Sequence, residues 1–235
     1  MSLLTLVRHG QAHAFQKESD RLTETGEEQA RRLAVFWREN GIRFDEAYTG
    51  ALERQRATER MVAAGVPEWP AAVVMPEFNE YDATGVLNRL VPELAAREPG
   101  FASRVQMFEA FRDDPVRRNR AFQAMFEFAM HVWLTGAMEV EGVESFAAFR
   151  ERVRAGLQRI QESGISRRVA VFTSGGPIGL SVQTAMQAPD TQFLEVNWRV
   201  RNCSLTEFLF TPGRFTLDSF NSVPHLSDAA LITYR

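Results

Sequence analysis

Residues Leu3-Leu4-Thr5-Leu6-Val7 form an apolar run that stops at Arg8-His9-Gly10. A short leucine and valine run closed by glycine reads as a buried strand. A strand buried on both faces belongs to a parallel sheet covered by helices. Its carboxyl end then opens onto the edge where α/β sheets bind ligands. The chain therefore delivers a guanidinium, an imidazole and a glycine to that edge. Imidazole serves there as base, metal ligand or nucleophile. The planar arginine fork donates two parallel hydrogen bonds to a phosphate or carboxylate. Gly10 permits a sharp turn and a close backbone approach to a ligand. The expectation is an anion site with a reactive histidine; the alternative is a strand end that is polar without function.

The remaining chain alternates between strand and helix patterns. A polar loop covers Gln11 to Arg21, and a helix follows, with Thr23 or Thr25 as cap and glutamates in its first turn. Ala30, Leu33, Ala34 and Trp37 keep helical spacing as far as Gly41. Glu46–Thr49 reads as a strand, Ala51–Ala64 as a helix and Val73–Met75 as a short strand. From about Leu87 to Leu134 the spacing is helical, with Pro92, Pro99 and Pro115 as breaks between short helices. Phe108, Phe111, Phe122, Phe126, Phe128 and Trp133 read as the apolar core of this insertion, which is a candidate lid. Val143–Gln161 is a helix, Arg168–Thr173 a strand, and Ile178–Met186 a helix after Ser174-Gly175-Gly176-Pro177. Cys203–Phe210 and Arg214–Phe220 are two strands around a Thr211-Pro212-Gly213 turn. This order predicts a three-layer α/β/α sandwich with a mainly parallel sheet, one antiparallel edge strand and a helical insertion, all within one domain spanning 1–235.

Composition narrows the function classes. With a net charge of −3, the chain has no general attraction to nucleic acid or membrane. Its one cysteine, Cys203, excludes an internal disulfide and thiolate metal clusters. No signal-peptide pattern and no bilayer-length apolar run are present, so a cytoplasmic setting is expected.

Candidate chemistry sits at three strand–helix junctions. The first is Arg8-His9-Gly10. The second is Thr49-Gly50-Ala51-Leu52-Glu53-Arg54 with Thr58, where an arginine strengthens the anion preference of a helix start. The third is Ser174-Gly175-Gly176-Pro177, whose glycines free backbone N–H groups to face a ligand. Singly, an arginine near a helix start is more often a surface charge and a Gly-Gly turn more often a tight connection. Their joint occurrence at strand–helix junctions of one sheet is more informative.

These segments resemble the histidine phosphatase superfamily, also called phosphoglycerate mutase-like, over nearly the whole chain. Val7-Arg8-His9-Gly10-Gln11-Ala12 resembles its signature, and Leu22-Thr23 with Gly26, Gln29 and Ala30 its first helix. The Tyr48–Arg54 segment resembles its second arginine motif, with Gly50 where serine is common. Phe78-Asn79-Glu80-Tyr81-Asp82 is similar to the segment bearing its acid. Val143-Glu144-Ser145-Phe146 with Arg152, Asn202–Thr206 and Asn221–Leu226 are similar to its later segments.

The resemblance implies a metal-independent phosphomonoester hydrolase of the histidine acid phosphatase type. His9 is the implied nucleophile, passing through a phosphohistidine, and Glu80 the implied acid and base. Arg8, Arg54, Ser174 and Gly175 are the implied phosphate-binding residues. No cofactor or metal is implied, and the implied partner is a small phosphorylated substrate. One departure stands out: Ser174 occupies the place of the family's second histidine. A serine donates one neutral hydrogen bond, about half as strong as a charge-assisted one. The alternatives left open are a slow or inactive phosphate- or phosphoprotein-binding relative and, less favoured, a mutase. Mutases carry a Trp-Asn segment after the first motif, where this chain reads Gln11-Ala12-His13-Ala14-Phe15-Gln16. His13 and His131 are possible replacements or unrelated histidines. His225 and Cys203 read as structural.

Overall fold

The computed structural model describes residues 1–13, 20–162 and 164–234, so Ala14, Phe15 and Gln16 of the expected polar loop lie outside the described residues. In chain order the elements are β1 (Ser2–Arg8), α1 (Glu24–Glu39), β2 (Glu46–Thr49), α2 (Glu53–Gly65), β3 (Val73–Val74), α3 (Ala83–Gly85), α4 (Val91–Arg97), α5 (Pro99–Ala110) and α6 (Pro115–Thr135). There follow α7 (Phe146–Glu162), β4 (Arg168–Thr173), α8 (Gly175–Ala185), α9 (Gln192–Asn197), β5 (Leu205–Thr211) and β6 (Arg214–Ser222). They form two compact units, one of Met1–Glu80 with Arg152–Arg235 and one of Tyr81–Glu151. The stretch read as an insertion, 87–134, falls within the second unit.

The first unit is built on a six-stranded sheet of order β3-β2-β4-β1-β5-β6. The β3/β2, β2/β4 and β4/β1 pairs are parallel. At the other side β5 runs antiparallel to β1, and β6 returns antiparallel along β5. This is the expected mainly parallel sheet with an antiparallel edge. Alternation along the strands decides which residues face which layer. Val7, Ala170, Phe172 and Leu205 pack with Ala30, Leu33, Ala34 and Trp37 of α1 and Val62 of α2. Trp37 stacks on Trp69 with ring centroids 5.7 Å apart, and Phe44 lies 4.7 Å from it. The alternate residues Leu4, Leu6, Val169, Val171 and Phe208 are buried as well, so both sheet faces are covered. Thr23 caps α1, its hydroxyl accepting from the Gly26 N–H at 3.1 Å, with Glu24 and Glu27 in the first turn.

The second unit is helical. Pro92, Pro99 and Pro115 stand in the first turns of α4, α5 and α6. There the missing N–H costs nothing and the fixed φ suits a helix start. They therefore begin helices, and α6 runs unbroken for 21 residues from its Asp114 cap to Gly136. The core also differs from the expected phenylalanine set. Phe101, Met125, Ala129, Met130, Trp133 and Phe149 are buried, whereas Phe128 is 41% exposed. Arginines lie over several of the outer rings: Arg118 is 4.9 Å from the Phe108 centroid, Arg104 5.4 Å from Phe128 and Arg117 5.7 Å from Phe111. These are cation–π contacts, through which the exposed Arg117 and Arg118 cover aromatic surface. No helix among the described residues is long and apolar enough to cross a membrane.

Candidate active site

Because β2, β4 and β1 are adjacent and parallel, their carboxyl ends open side by side. The His9 N–H donates to the Thr173 carbonyl at 2.9 Å, and the Gly50 N–H donates to the Phe172 carbonyl at 3.0 Å. Arg8 pairs with Thr173 in register, which sets His9 level with Ser174 on the neighbouring strand. The loop after β1 is pressed against α1: a side chain at Gly10 would run into the Gly26 carbonyl, and one at Gly26 into the Gln11 carbonyl. Both positions are glycine for want of room.

His9 is buried, at 6% exposure. Its Nδ1 lies 2.7 Å from the Gly10 carbonyl oxygen. A carbonyl only accepts, so Nδ1 carries the proton and Nε2 carries the lone pair. Arg54 Nε donates to that Nε2 at 3.1 Å. Burial first, then the charges of Arg54 and Arg8, hold the imidazole well below its ordinary pKa, against the opposing pull of the Gly10 carbonyl. The ring is thus neutral with an oriented lone pair. Its backbone is fixed too, since the His9 carbonyl accepts from the Cys203 N–H at 3.2 Å and from Asn202 Nδ2 at 3.4 Å.

Arg54 sits in the first turn of α2. The Asp20 carboxylate accepts from Arg54 Nη1 at 2.7 Å, from the Glu53 N–H at 2.7 Å and from the Arg54 N–H at 3.4 Å. One acid therefore satisfies the helix start and fixes the guanidinium. Thr58 ties this turn to β1, accepting from the Gly10 N–H at 3.0 Å and donating to the Arg54 carbonyl at 2.7 Å. Arg8 Nη1 donates to the Val200 carbonyl and, at 2.8 Å, to the Tyr234 carbonyl.

Glu80 meets the other helix start. Its two carboxylate oxygens lie 3.0 and 3.3 Å from the Gly176 N–H in the first turn of α8. The segment carrying it is braced by Arg152, whose Nη1 donates to the Glu77 and Asn79 carbonyls at 2.9 and 2.8 Å and whose Nη2 donates to the Glu80 carbonyl at 3.1 Å. Ser174 is fully buried and accepts from Gln55 Nε2 at 2.8 Å. Gly175 opens α8 between Ser174 and Gly176.

The edge thus brings together His9 and Arg54 by direct contact, Ser174 by register, and Glu80 with Gly175 at the α8 start. The hydrogen bonds described for Arg8 run to two backbone carbonyls and not to His9. Of the other histidines, His13 lines a cavity of about 610 Å³ with Arg21, Glu27, Glu53 and Arg60. His131 is exposed on α6 of the second unit. His225 is buried, its ring 6.3 Å from that of Phe36. Sequence reasoning missed Asp20 and Gln55, and took Arg152 only as a motif residue. Their signal lies in long-range partners, which spacing does not carry.

Comparison with known proteins gives one consistent answer. Among solved structures, a phosphoglycerate mutase from Bacillus anthracis superposes with a TM-score of 0.64 at 18% identity, covering 95% of this chain and 94% of that one. An alpha-ribazole phosphatase from Shigella flexneri gives 0.60 at 20% identity, over 94% and 96%. A phosphoserine phosphatase from Entamoeba histolytica, solved with 3-phosphoglyceric acid, gives 0.61 at 19% identity, over 96% and 100%. At such identity these establish a shared fold. A 2,3-bisphosphoglycerate-dependent phosphoglycerate mutase from Parvibaculum lavamentivorans is 36% identical over 88 residues. That match spans 34% of this chain and 42% of the mutase, under half the length of that curated relative. The family model of the histidine phosphatase superfamily (branch 1) matches residues 4–127 and 117–223. With the Arg-His-Gly strand end inside that match, on the sheet edge described above, the chain belongs to the histidine phosphatase superfamily.

Proposed function

We propose that the protein is a phosphomonoester hydrolase in which His9 is the nucleophile. The observation that carries this reading is the tautomer: Nδ1–H is committed to the Gly10 carbonyl, and Nε2 faces Arg54 with its lone pair. A neutral imidazole so fixed needs no deprotonation before it attacks. In this reading Nε2 attacks phosphorus in line. The bond to the ester oxygen breaks, and Glu80 gives its proton to the leaving alcohol. Water, losing a proton to the same carboxylate, then attacks the phosphohistidine and releases inorganic phosphate. Arg54 passes its Nε hydrogen bond from His9 to a phosphoryl oxygen as the substrate enters. Arg54, Arg8, the Ser174 hydroxyl and the Gly175 N–H receive the phosphoryl oxygens, spreading the charge of the transition state. The substrate class is a small phosphate monoester, in keeping with the phosphorylated compounds named for the relatives above.

A second reading is favoured by one observation. Ser174 is buried and neutral where the family resemblance calls for an imidazole. A site short of one cationic donor binds phosphate without fast turnover, as an anion-binding module would. Trapping separates the two. We expect brief incubation with a ³²P-labelled phosphoester, followed by alkaline quench, to give acid-labile, alkali-stable label on wild type and none on His9→Ala. Phosphate binding without labelling or release of the alcohol sinks the hydrolase reading and leaves the module.

A further inference from the structure

Gly50 ends β2 without a side chain, and a side chain there would run into Gln55 Oε1. The Gln55 amide occupies that space and is fully buried. Its Oε1 accepts the Leu52 N–H at 3.2 Å, while its Nε2 donates to the Phe78 carbonyl at 3.0 Å and to Ser174 Oγ at 2.8 Å. The amide cannot be turned over, because Leu52 offers only a donor and Phe78 only an acceptor. Both N–H groups of the amide are therefore spent, and towards Gln55 the serine oxygen is an acceptor. The Ser174 proton must point elsewhere. The Phe78 carbonyl does not take it, because its two lone pairs already receive Gln55 Nε2 and the Thr173 hydroxyl, the latter at 2.7 Å.

Ser174 follows β4 as His9 follows β1, at the same level of adjacent parallel strands. We infer that Gln55 is a positioning residue, which fixes the Ser174 hydroxyl as a hydrogen-bond donor to the phosphoryl group held at His9. The inference rests on the phosphate-site reading above. It makes Gly50, Gln55 and Ser174 one device. The missing side chain admits the amide, the amide fixes the hydroxyl, and the hydroxyl supplies a neutral donor to the anion.

The test uses full-length protein, p-nitrophenyl phosphate turnover and the Kd for inorganic phosphate by calorimetry. The variants are Ser174→Ala, Gln55→Met, Gln55→Glu and each Gln55 change combined with Ser174→Ala. Ser174→Ala should weaken phosphate binding by about 10- to 100-fold, the usual range for a hydrogen bond to a charged group. Gln55→Glu reverses the polarity, since its carboxylate draws the serine proton to itself, and should weaken binding about as much. Gln55→Met keeps the bulk and loses the donor, which serves if the buried glutamate prevents folding. In the Ser174→Ala background both Gln55 changes should cost less than about threefold, because the hydroxyl they act through is gone. A merely structural glutamine would cost the same in both backgrounds, which overturns the inference. So does Ser174→Ala binding phosphate like wild type while His9→Ala abolishes turnover; that result leaves the hydrolase reading standing. A wild type that neither binds phosphate nor hydrolyses the ester overturns both.

Discussion

His9 and His225 are both buried imidazoles, and burial is the first cause pushing each toward its neutral form. Their surroundings differ in one respect that decides what each ring can do. His9 has a carbonyl at Nδ1 and a guanidinium at Nε2. His225, in the segment after β6, packs near Phe36 and the Cys203 backbone, and among the described residues neither of its nitrogens makes a hydrogen bond of good geometry. Desolvation alone yields an inert neutral ring. A nucleophile also needs a defined tautomer, a lone pair at the binding edge and positive charge to receive an anion.

Substitutions should separate the two rings, beginning with the largest effect. His9→Ala should lower kcat on an aryl phosphate by about 10⁴-fold or more, the scale of losing a covalent nucleophile, whereas His225→Phe should stay within about threefold of wild type. Comparable losses in both variants would erase the distinction. Glu80→Gln should cost about 10²–10⁴-fold. Its penalty should be greater for alkyl than for nitrophenyl phosphates, since a poor leaving group needs the proton more; equal penalties would remove Glu80 from the acid role. Arg54→Lys keeps the charge but loses the planar fork and the contact to Nε2, and should cost about 10²-fold in kcat/KM. Steady-state kinetics that match wild type would place Arg54 outside the site.

The pH dependence sharpens the comparison further. With the His9 pKa held well below 6.5, the acid limb of kcat/KM should fall below pH 6.5, and a limb at or above that value contradicts the neutral-nucleophile reading. The smallest effect is on stability. The folded pKa of His225 is lowered from 6.5 to about 4. The unfolded chain then binds the extra proton first, so stability is complete above pH 6.5 and is lost as pH falls toward 4. The full loss, reached once pH lies below both values, amounts to about 3 kcal/mol. Denaturant titrations of His225→Phe should show a shallower decline over this window, while His9→Ala leaves the His225 share of the decline in place.

Much of the sheet was legible in the sequence because apolar runs ending in glycine or proline mark strands without reference to the rest of the chain. The tips of β1, β2 and β4 were legible for the same reason. The second unit was read less well. Proline is both a helix breaker and a first-turn residue, and only the surrounding chain decides which. In α6 the buried stripe is Ala121, Met125, Ala129 and Trp133, while Phe122 and Phe126 stack on one another half-buried and Phe128 stays exposed beside Arg104. Within the candidate site, His9 and Arg8 stood out by their chemistry at a strand end. Glu80 could be singled out from Glu77 and Asp82 only through the family resemblance. Asp20, Gln55 and Arg152 carry ordinary side chains at ordinary spacings. Their roles come from partners 34, 119 and 72–75 residues away, a relation that no local pattern encodes.

The placement of β1 has a consequence for how the protein reaches its folded state. This strand pairs on one side with β4, Leu3 facing Arg168, and on the other with β5, Ser2 facing Phe210. Its most apolar residues therefore emerge from the ribosome long before either neighbour exists. Closing so large a loop must precede any pairing energy, which slows folding and leaves an unpaired hydrophobic strand exposed meanwhile. The residue that begins the proposed chemistry is thus made before both of the strands that hold β1 in place. Nascent chains halted before residue 168 should have no assembled anion site, and chaperone dependence during synthesis should be heaviest at that stage.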